Sequence, residues 1–203
     1  MTSFDVNYHQ GLGTLLGQAI GMQDFVRLVH ICHYVIQTEH LGGSVVELGC
    51  NQGRTAKLIS ALTQRDVHIY DSFEGLPKEE GYNGGEMGAS VAGIEALFKE
   101  HPIGVTPTIH KGWFNELTHA DVPDTISFAH LDGDMYSSTL DSLELVYPKM
   151  VSGGVILVDD YLNTNWTGVE KALVEFFADK VEVVANLKGL HHNPSLKALI
   201  VKV

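Results

Sequence analysis

Basic residues are scarce in this chain: Lys+Arg number 13 against 25 Asp+Glu, a formal net charge of −12 with histidine neutral, and no basic run offsets it. A nucleic-acid backbone or an anionic membrane surface is therefore not expected as its main partner. Cysteine is almost missing. Cys32 and Cys50 cannot build a disulfide scaffold, and they fit a reducing, cytoplasmic setting. No apolar run reaches the roughly 20 residues that a membrane span needs, and Met1-Thr2-Ser3-Phe4-Asp5 lacks the basic and apolar regions of a signal peptide. What is present is enough to bury a core: 203 residues, 44% hydrophobic and 19% charged. With no internal repeat and no composition break, these read as one domain over residues 1–203, opened by a helical segment over 1–43.

Strand-like and helix-like periods alternate along most of the chain. β-Rich runs fall at Ser44–Leu48, Val67–Tyr70, Thr108–His110, Ile126–Leu131, Val155–Val158, Val181–Leu187 and Leu196–Val203. Helical spacing lies between them, clearest in the stripe Val169, Leu173, Phe176 and Phe177, while Phe25–Ile36 reads as a buried helix that is apolar nearly all round. Alternation of this kind predicts an α/β fold, a Rossmann-like, doubly wound sheet of seven strands with helices on both faces. Only Lys188–Ser195 separates the last two strands, too short for a helical crossover, so the C-terminal strand should run antiparallel. Glu74–Ser90 carries five glycines and reads as a mobile loop, a lid over the carboxyl end of the sheet.

Two patterns carry chemistry. In the first, the strand Val45–Leu48 runs into Gly49-Cys50-Asn51-Gln52-Gly53 and then a helix that begins with Arg54 and Thr55. Gly49 permits a sharp turn and Gly53 a close approach to the main chain, and the helix start offers unpaired N–H groups to an acidic ligand end. The spacing is neither the G-x-G-x-x-G of dinucleotide binders nor a P-loop, which would need Lys-Ser/Thr after the second glycine. Asp71 ends the next strand, 24 residues after Glu47, where such sheets hold a ribose diol by charge-assisted hydrogen bonds. Read blandly, the glycines make a tight βα turn and Asp71 caps a helix; their order and context favour a cofactor site.

The second pattern is Leu131-Asp132-Gly133-Asp134-Met135-Tyr136 with Leu157-Val158-Asp159-Asp160-Tyr161. Both runs follow apolar strands, so four carboxylates emerge at carboxyl ends of the sheet. Like charges converging there raise one another's pKa unless a cation neutralises them. All-oxygen ligands suit a hard cation such as Mg²⁺, and Mn²⁺ or Ca²⁺ would satisfy the same chemistry. The bland alternative is loop acids and helix caps, with Asp134 capping the helix near Ser137.

Taken together, the sequence resembles class I S-adenosylmethionine-dependent O-methyltransferases, and more narrowly the macrocin O-methyltransferase (TylF-like) family. The strings that carry the resemblance are Val46-Glu47-Leu48-Gly49-Cys50-Asn51-Gln52-Gly53, Tyr70-Asp71-Ser72-Phe73-Glu74-Gly75-Leu76-Pro77, Gly112-Trp113-Phe114, Leu131–Tyr136 and Gly153–Tyr161. The resemblance implies a metal-dependent methyl transfer to a hydroxyl of a small molecule, a sugar or other natural-product moiety. It implies that Asp132, Asp159 and Asp160 hold Mg²⁺ and that Asp134 accepts the proton. Glu47, Gly49, Asp71 and Ser72 would line S-adenosylmethionine, with Gly112 and Trp113 near the adenine. Asn51, Gly53, Arg54, Thr55 and Asp132 complete the candidate cofactor set. A catechol-type O-methyltransferase and a non-catalytic nucleotide-binding module are the alternatives. The sequence leaves a homo-oligomer open.

The remaining polar candidates are weaker. His30 and His33 lie one helical turn apart but read as packed or solvated, and His191 and His192 as a surface turn. His110 ends a strand beside Gly112-Trp113 and is a candidate site-lining residue, as is Trp166 for the acceptor pocket. Cys50 has no partner cysteine or basic neighbour to make it reactive.

Overall fold

The computed structural model describes residues 25–79, 82–100, 102–187 and 196–203. Among these residues five helices flank a seven-stranded sheet. The strands are β1 (Ser44–Leu48), β2 (Val67–Asp71), β3 (Thr108–Lys111), β4 (Ile126–Leu131), β5 (Met150–Tyr161), β6 (Ala185–Leu187) and β7 (Leu196–Val201). The helices are α1 (Phe25–Gln37), α2 (Arg54–Leu62), α3 (Val91–Glu100), α4 (Tyr136–Val146) and α5 (Thr167–Phe177). The strand order is β3-β2-β1-β4-β5-β7-β6, and β7 runs antiparallel to both its neighbours. The α/β fold, the mostly parallel sheet and the reversed C-terminal strand are those expected from the alternation.

Two apolar layers result from the period-2 alternation of the strands. Val46, Leu48, Ala129, Leu131, Ile156 and Val158 face α4 and α5, where Leu143, Val169, Leu173 and Phe177 close the layer. Val45, Phe128, Val155 and Leu157 face the other way, onto Ile31 and Val35 of α1, Ile59 of α2 and Ile94 of α3. The strand order reverses between β1 and β4, and at such a switch point two crossovers leave in opposite directions and open a crevice at the carboxyl ends. Register aligns that edge: Leu48 pairs with Tyr70 and Leu131, Tyr70 with His110, and Leu131 with Val158. Gly49, Asp71, Lys111, Asp132 and Asp159, one step further along each strand, therefore form one row.

Three local expectations need correction. Helix α1 is not buried all round: Leu28, Ile31 and Val35 are fully buried, but the apolar Val29 and Ile36 are 44% and 57% exposed. The strand expected at Val181–Leu187 is only Ala185–Leu187, because the residue that turns inward is Glu182, held by Lys202 and Tyr147, while Val181 and Val183 face solvent. And β5 continues through Asp159 and Asp160 to Tyr161, so these acids lie within the strand rather than after it. The histidine pair His191–His192 lies outside the described residues.

Candidate active site

A cavity of about 640 Å³ opens at the carboxyl edge of the sheet above β1 and β4, within the usual size of small-molecule sites. Its wall contains Gly49, Cys50, Asn51, Gln52, Arg54 and Thr55 from the β1–α2 turn, Asp71 and Ser72 after β2, and Gly112 and Trp113 after β3. Asp132, Gly133 and Asp134 after β4, and Asp160, Asn163 and Trp166 after β5, close the other side. Segments far apart in sequence thus meet in one chamber because the register brings their strands to a common edge.

The glycine turn is fixed by sterics. Gly49 has φ +91°, and a Cβ there would lie 2.0 Å from the carbonyl oxygen of Asp132, so no other residue lets β1 and β4 end side by side. Gly49 N–H donates to Tyr70 O, and Asp132 N–H to Leu48 O, tying the three strand ends together. Asp71 accepts backbone N–H bonds from Asn51 at 2.8 Å and Phe73 at 2.7 Å, one on each carboxylate oxygen. Its second lone pairs remain for a ligand. Asn51 lines the cavity with φ +45°, and its buried Oδ1 has no hydrogen-bond partner among the described residues. An orphaned acceptor beside a fixed carboxylate is what a polar ligand with N–H and O–H donors would satisfy. Four non-glycine residues with positive φ, Asn51, Met87, Asp134 and Asp160, line the chamber, and Phe73 and Leu162 adjoin lining segments in sequence; such backbone conformations concentrate at functional sites.

Two expected cofactor residues do not reach the wall. Gly53 sits behind the turn at the head of α2, against the Ile94 side chain. Glu47 is 1% exposed, on the α1 side of the sheet. Its Oε1 meets His130 Nδ1 at 2.9 Å, and its Oε2 has no hydrogen-bond partner among the described residues. Burial, reinforced by the Asp132 charge, pushes Glu47 well above the usual carboxylate range.

The four acids divide unevenly. Oxygens of Asp132, Asp134 and Asp160 lie within 4.8 Å of one another, while Asp159 groups instead with Asp132 and His130. Burial raises Asp132, and the Asp160 charge adds to it. Burial, the Asp132 charge and a hydrogen bond with Asp160 push Asp134 up to about 9. Asp159 is buried and takes Lys197 Nζ on Oδ2 at 2.6 Å and the guanidinium of Arg27 on Oδ1. Arg27 Nη2 also approaches Asp160 Oδ1 at 3.4 Å, and Asn163 Nδ2 donates to that same oxygen at 2.9 Å. An all-carboxylate oxygen set under mutual repulsion fits a hard divalent cation.

Behind this cluster lies a row that the motifs did not reveal. Glu47, His130, Lys197 and Asp159 run across β1, β4, β7 and β5, linked by Glu47–His130, Lys197–His130 at 3.2 Å and Lys197–Asp159. Burial and the neighbouring Lys197 charge hold His130 well below its ordinary range. Burial, with Arg27 nearby, brings Lys197 down to about 7. The signal available in sequence was a lysine inside Leu196–Val201, a strand apolar enough to be covered, since a buried lysine requires partners.

Other candidates fall elsewhere. His110 lies off the cavity, stacked on Tyr70 with centroids 4.3 Å apart and 3.1 Å from His68. His33 packs edge-on against Tyr34. Cys50 is buried, and burial together with Glu47 and Asp71 pushes its thiol upward, away from reactivity. Trp166 does line the cavity, and Tyr82 from the glycine-rich segment stacks on it at 5.1 Å while donating its hydroxyl to Asn165 O. That segment also has Leu76 N–H on Glu86 O and Gly85 N–H on Leu76 O.

A family model described as Macrocin-O-methyltransferase (TylF) matches residues 14–192. The chain is 30% identical to the demethyldecarbamoylnovobiocin O-methyltransferase of Streptomyces niveus over 139 residues, 59% of this chain and 53% of that protein. It is 25% identical to the mycinamicin III 3''-O-methyltransferase of Micromonospora griseorubida over 169 residues, 73% of this chain and 66% of that protein. It therefore spans about half to two thirds of the length of these relatives. Among solved structures, the O-methyltransferase NovP aligns with a TM-score of 0.73 at 24% identity, covering 88% of this chain and 80% of that one. The calicheamicin methyltransferase CalS11 aligns with a TM-score of 0.73 at 18% identity, covering 99% and 93%. At these identities the two structures speak to the fold.

Proposed function

Because the chain belongs to the macrocin O-methyltransferase (TylF) family, we propose that it transfers the methyl group of S-adenosylmethionine to a hydroxyl of a small molecule, a sugar or other natural-product moiety. Curated relatives bearing O-methyltransferase names support the class of reaction. The observation that carries the reading is the shared chamber: the Gly49–Thr55 turn and Asp71 stand on one side, and Asp132, Asp134 and Asp160 on the other. The cofactor end and the proton-accepting end of a methyl transfer then face each other within one cavity.

Asp71 offers two fixed carboxylate oxygens to the ribose hydroxyls, and Asn51 its orphaned amide oxygen to a donor on the cofactor. Ser72, Gly112 and Trp113 supply the wall for the base, and the Arg54–Thr55 helix start the acidic end's donors. The sulfonium methyl is electrophilic already, so the chain's task is to align acceptor oxygen, methyl carbon and sulfur and to take away the hydroxyl proton. Asp134 is the acceptor of that proton, aimed into the cavity by a turn with φ +60° at its own backbone. Asp132 and Asp160 line the cavity and, with Asp159 behind them on Lys197 and Arg27, are the residues that would hold a divalent cation, at a seat that Asp134 also borders. Such an ion supplies Lewis acidity toward the acceptor hydroxyl and lowers the pKa of the carboxyl groups around it. Glu47 and Gly53 support the turn from behind. No helix among the described residues is long and apolar enough to cross a membrane, and the acidic charge and free cysteines support a cytoplasmic enzyme.

The test is methyl transfer from labelled S-adenosylmethionine into a panel of hydroxylated sugars and glycosides, with Mg²⁺ and with EDTA. Label in a hydroxyl-bearing product only when Mg²⁺ is present supports the reading. Transfer unaffected by EDTA removes the metal from it, and S-adenosylhomocysteine binding without transfer to any acceptor leaves a binding module.

A further inference from the structure

Arg27 reaches the acid cluster from α1, 132 residues away in sequence, and it lines the cavity. Its Nη2 donates to Oδ1 of Asp159 and approaches Oδ1 of Asp160. These are the two acids of β5 assigned above to a divalent cation. The other oxygen of Asp159 is committed to Lys197, and Arg27 sits on Oδ1, which also accepts the Asp160 backbone N–H at 3.0 Å. The guanidinium is nearly enclosed, with 11% of the side chain exposed, and its charge sits where carboxylates repel one another. A permanent cation that bridges two carboxylates lowers their repulsion much as a metal ion would.

We propose that Arg27 is a built-in counter-cation of the acid cluster, competing with a divalent ion for Asp159 and Asp160, so that metal binding requires Arg27 to give up this bridge. The proposal rests on the metal reading above. It ties α1 to the site: the helix docks through Leu28, Ile31 and Val35, and Arg27, one position before that stripe, converts metal occupancy into a change in how α1 begins. Arg27 acts here as a positioning residue, not a catalytic one.

Binding of Mn²⁺, followed by calorimetry on the full chain without cofactor, tests this directly. Arg27→Gln removes the charge while leaving Asp159 its partner Lys197, and should lower the Kd about tenfold or more by removing a positive charge in contact with the seat. Both contacts come from the one nitrogen Nη2, so Arg27→Lys keeps the charge but carries its ammonium on a stem one atom shorter, and its Kd should fall between the two; it decides the matter if Arg27→Gln does not fold. Adding Asp132→Asn to the tighter-binding variant should abolish the gain, locating it at the cluster. Mn²⁺ that binds wild type and both variants equally, or binds the variants more weakly, overturns the competition while leaving the metal reading intact. No binding to any of the three overturns both.

Discussion

Replacing Asp134 with asparagine should stabilise the protein near neutral pH and stop its chemistry together. In buffer without divalent ions, burial, the Asp132 charge and the bond with Asp160 hold the Asp134 carboxyl up to about 9. The unfolded chain returns it to about 4. An acid raised on folding contributes no penalty below its unfolded pKa, where both states keep the proton; stability is lost as pH rises from there toward the folded value. Near pH 7 the unfolded group sits about three units above its pKa, and at ~1.4 kcal/mol per unit the penalty approaches ~4 kcal/mol. Asparagine keeps the shape and cannot ionise, so ~2–4 kcal/mol should be recovered once the neighbouring acids have adjusted. In a chain of this length that is a rise of about 5–15 °C in Tm. The assay is thermal unfolding of both proteins in EDTA from about pH 4 to pH 8. The gap should open with pH and narrow when Mg²⁺ is added, while turnover with Mg²⁺ falls ~10²-fold or more, as for loss of a general base. Asp134→Asn melting at or below wild type near pH 7, or a gap that does not change with pH, would refute the picture of a crowded, repelling cluster.

Further outcomes follow from the same geometry. Gly49→Ala puts a methyl group 2.0 Å from Asp132 O at φ +91° and should cost ~3 kcal/mol or more, seen as a large drop in the urea midpoint; an unchanged midpoint would mean that β1 and β4 part freely. Burial alone would raise Glu182, but bonds from Lys202 and Tyr147 outweigh it and hold the acid at about 2. Its contribution is present above pH ~4.5 and lost as pH falls toward 2, so Glu182→Gln should lose about 1.5–3 kcal/mol near neutrality and converge with wild type in acid; a pH-independent difference contradicts this. Trp166→Ala removes the ring on which Tyr82 stacks, and hydrogen exchange in residues 74–79 and 82–90 should quicken several-fold if that contact holds a lid closed. Exchange no faster than in wild type would deny the lid.

Local chemistry makes much of this molecule legible in its sequence. The Gly49–Gly53 turn, Asp71 and the Asp132–Asp134 string are consequences of short-range constraints: a strand that must stop, a turn only glycine can make, acids placed just past apolar runs. What stayed hidden depends on distance in sequence. Arg27 to Asp159, Glu47 to His130 and His130 to Lys197 are separated by 132, 83 and 67 residues, and no spacing rule relates them. Glu47 sits inside the motif that implies a cofactor contact, yet alternation turns it onto the α1 face with His130. Val181–Val183 misled for the opposite reason. Its β-branched residues suggested a strand, but a paired carboxylate occupies the inward position. In α1 the run of apolar residues hid a one-sided helix, since composition does not say which side lacks a neighbour.

The central claim is that the cavity above β1 and β4 holds S-adenosylmethionine through Asp71. Calorimetric titration of S-adenosylhomocysteine into wild type and Asp71→Asn tests it most directly. Asparagine can still accept one of the two backbone bonds that Asp71 takes from Asn51 and Phe73, so the fold should survive. The charge-assisted bonds to the ribose, each ~1.5–3 kcal/mol, should be lost or weakened. The account predicts saturable binding to wild type and a Kd raised about 10–100-fold in the variant, with a similar unfolding midpoint for the two free proteins. Binding of equal strength in both proteins, or none in wild type, would contradict it.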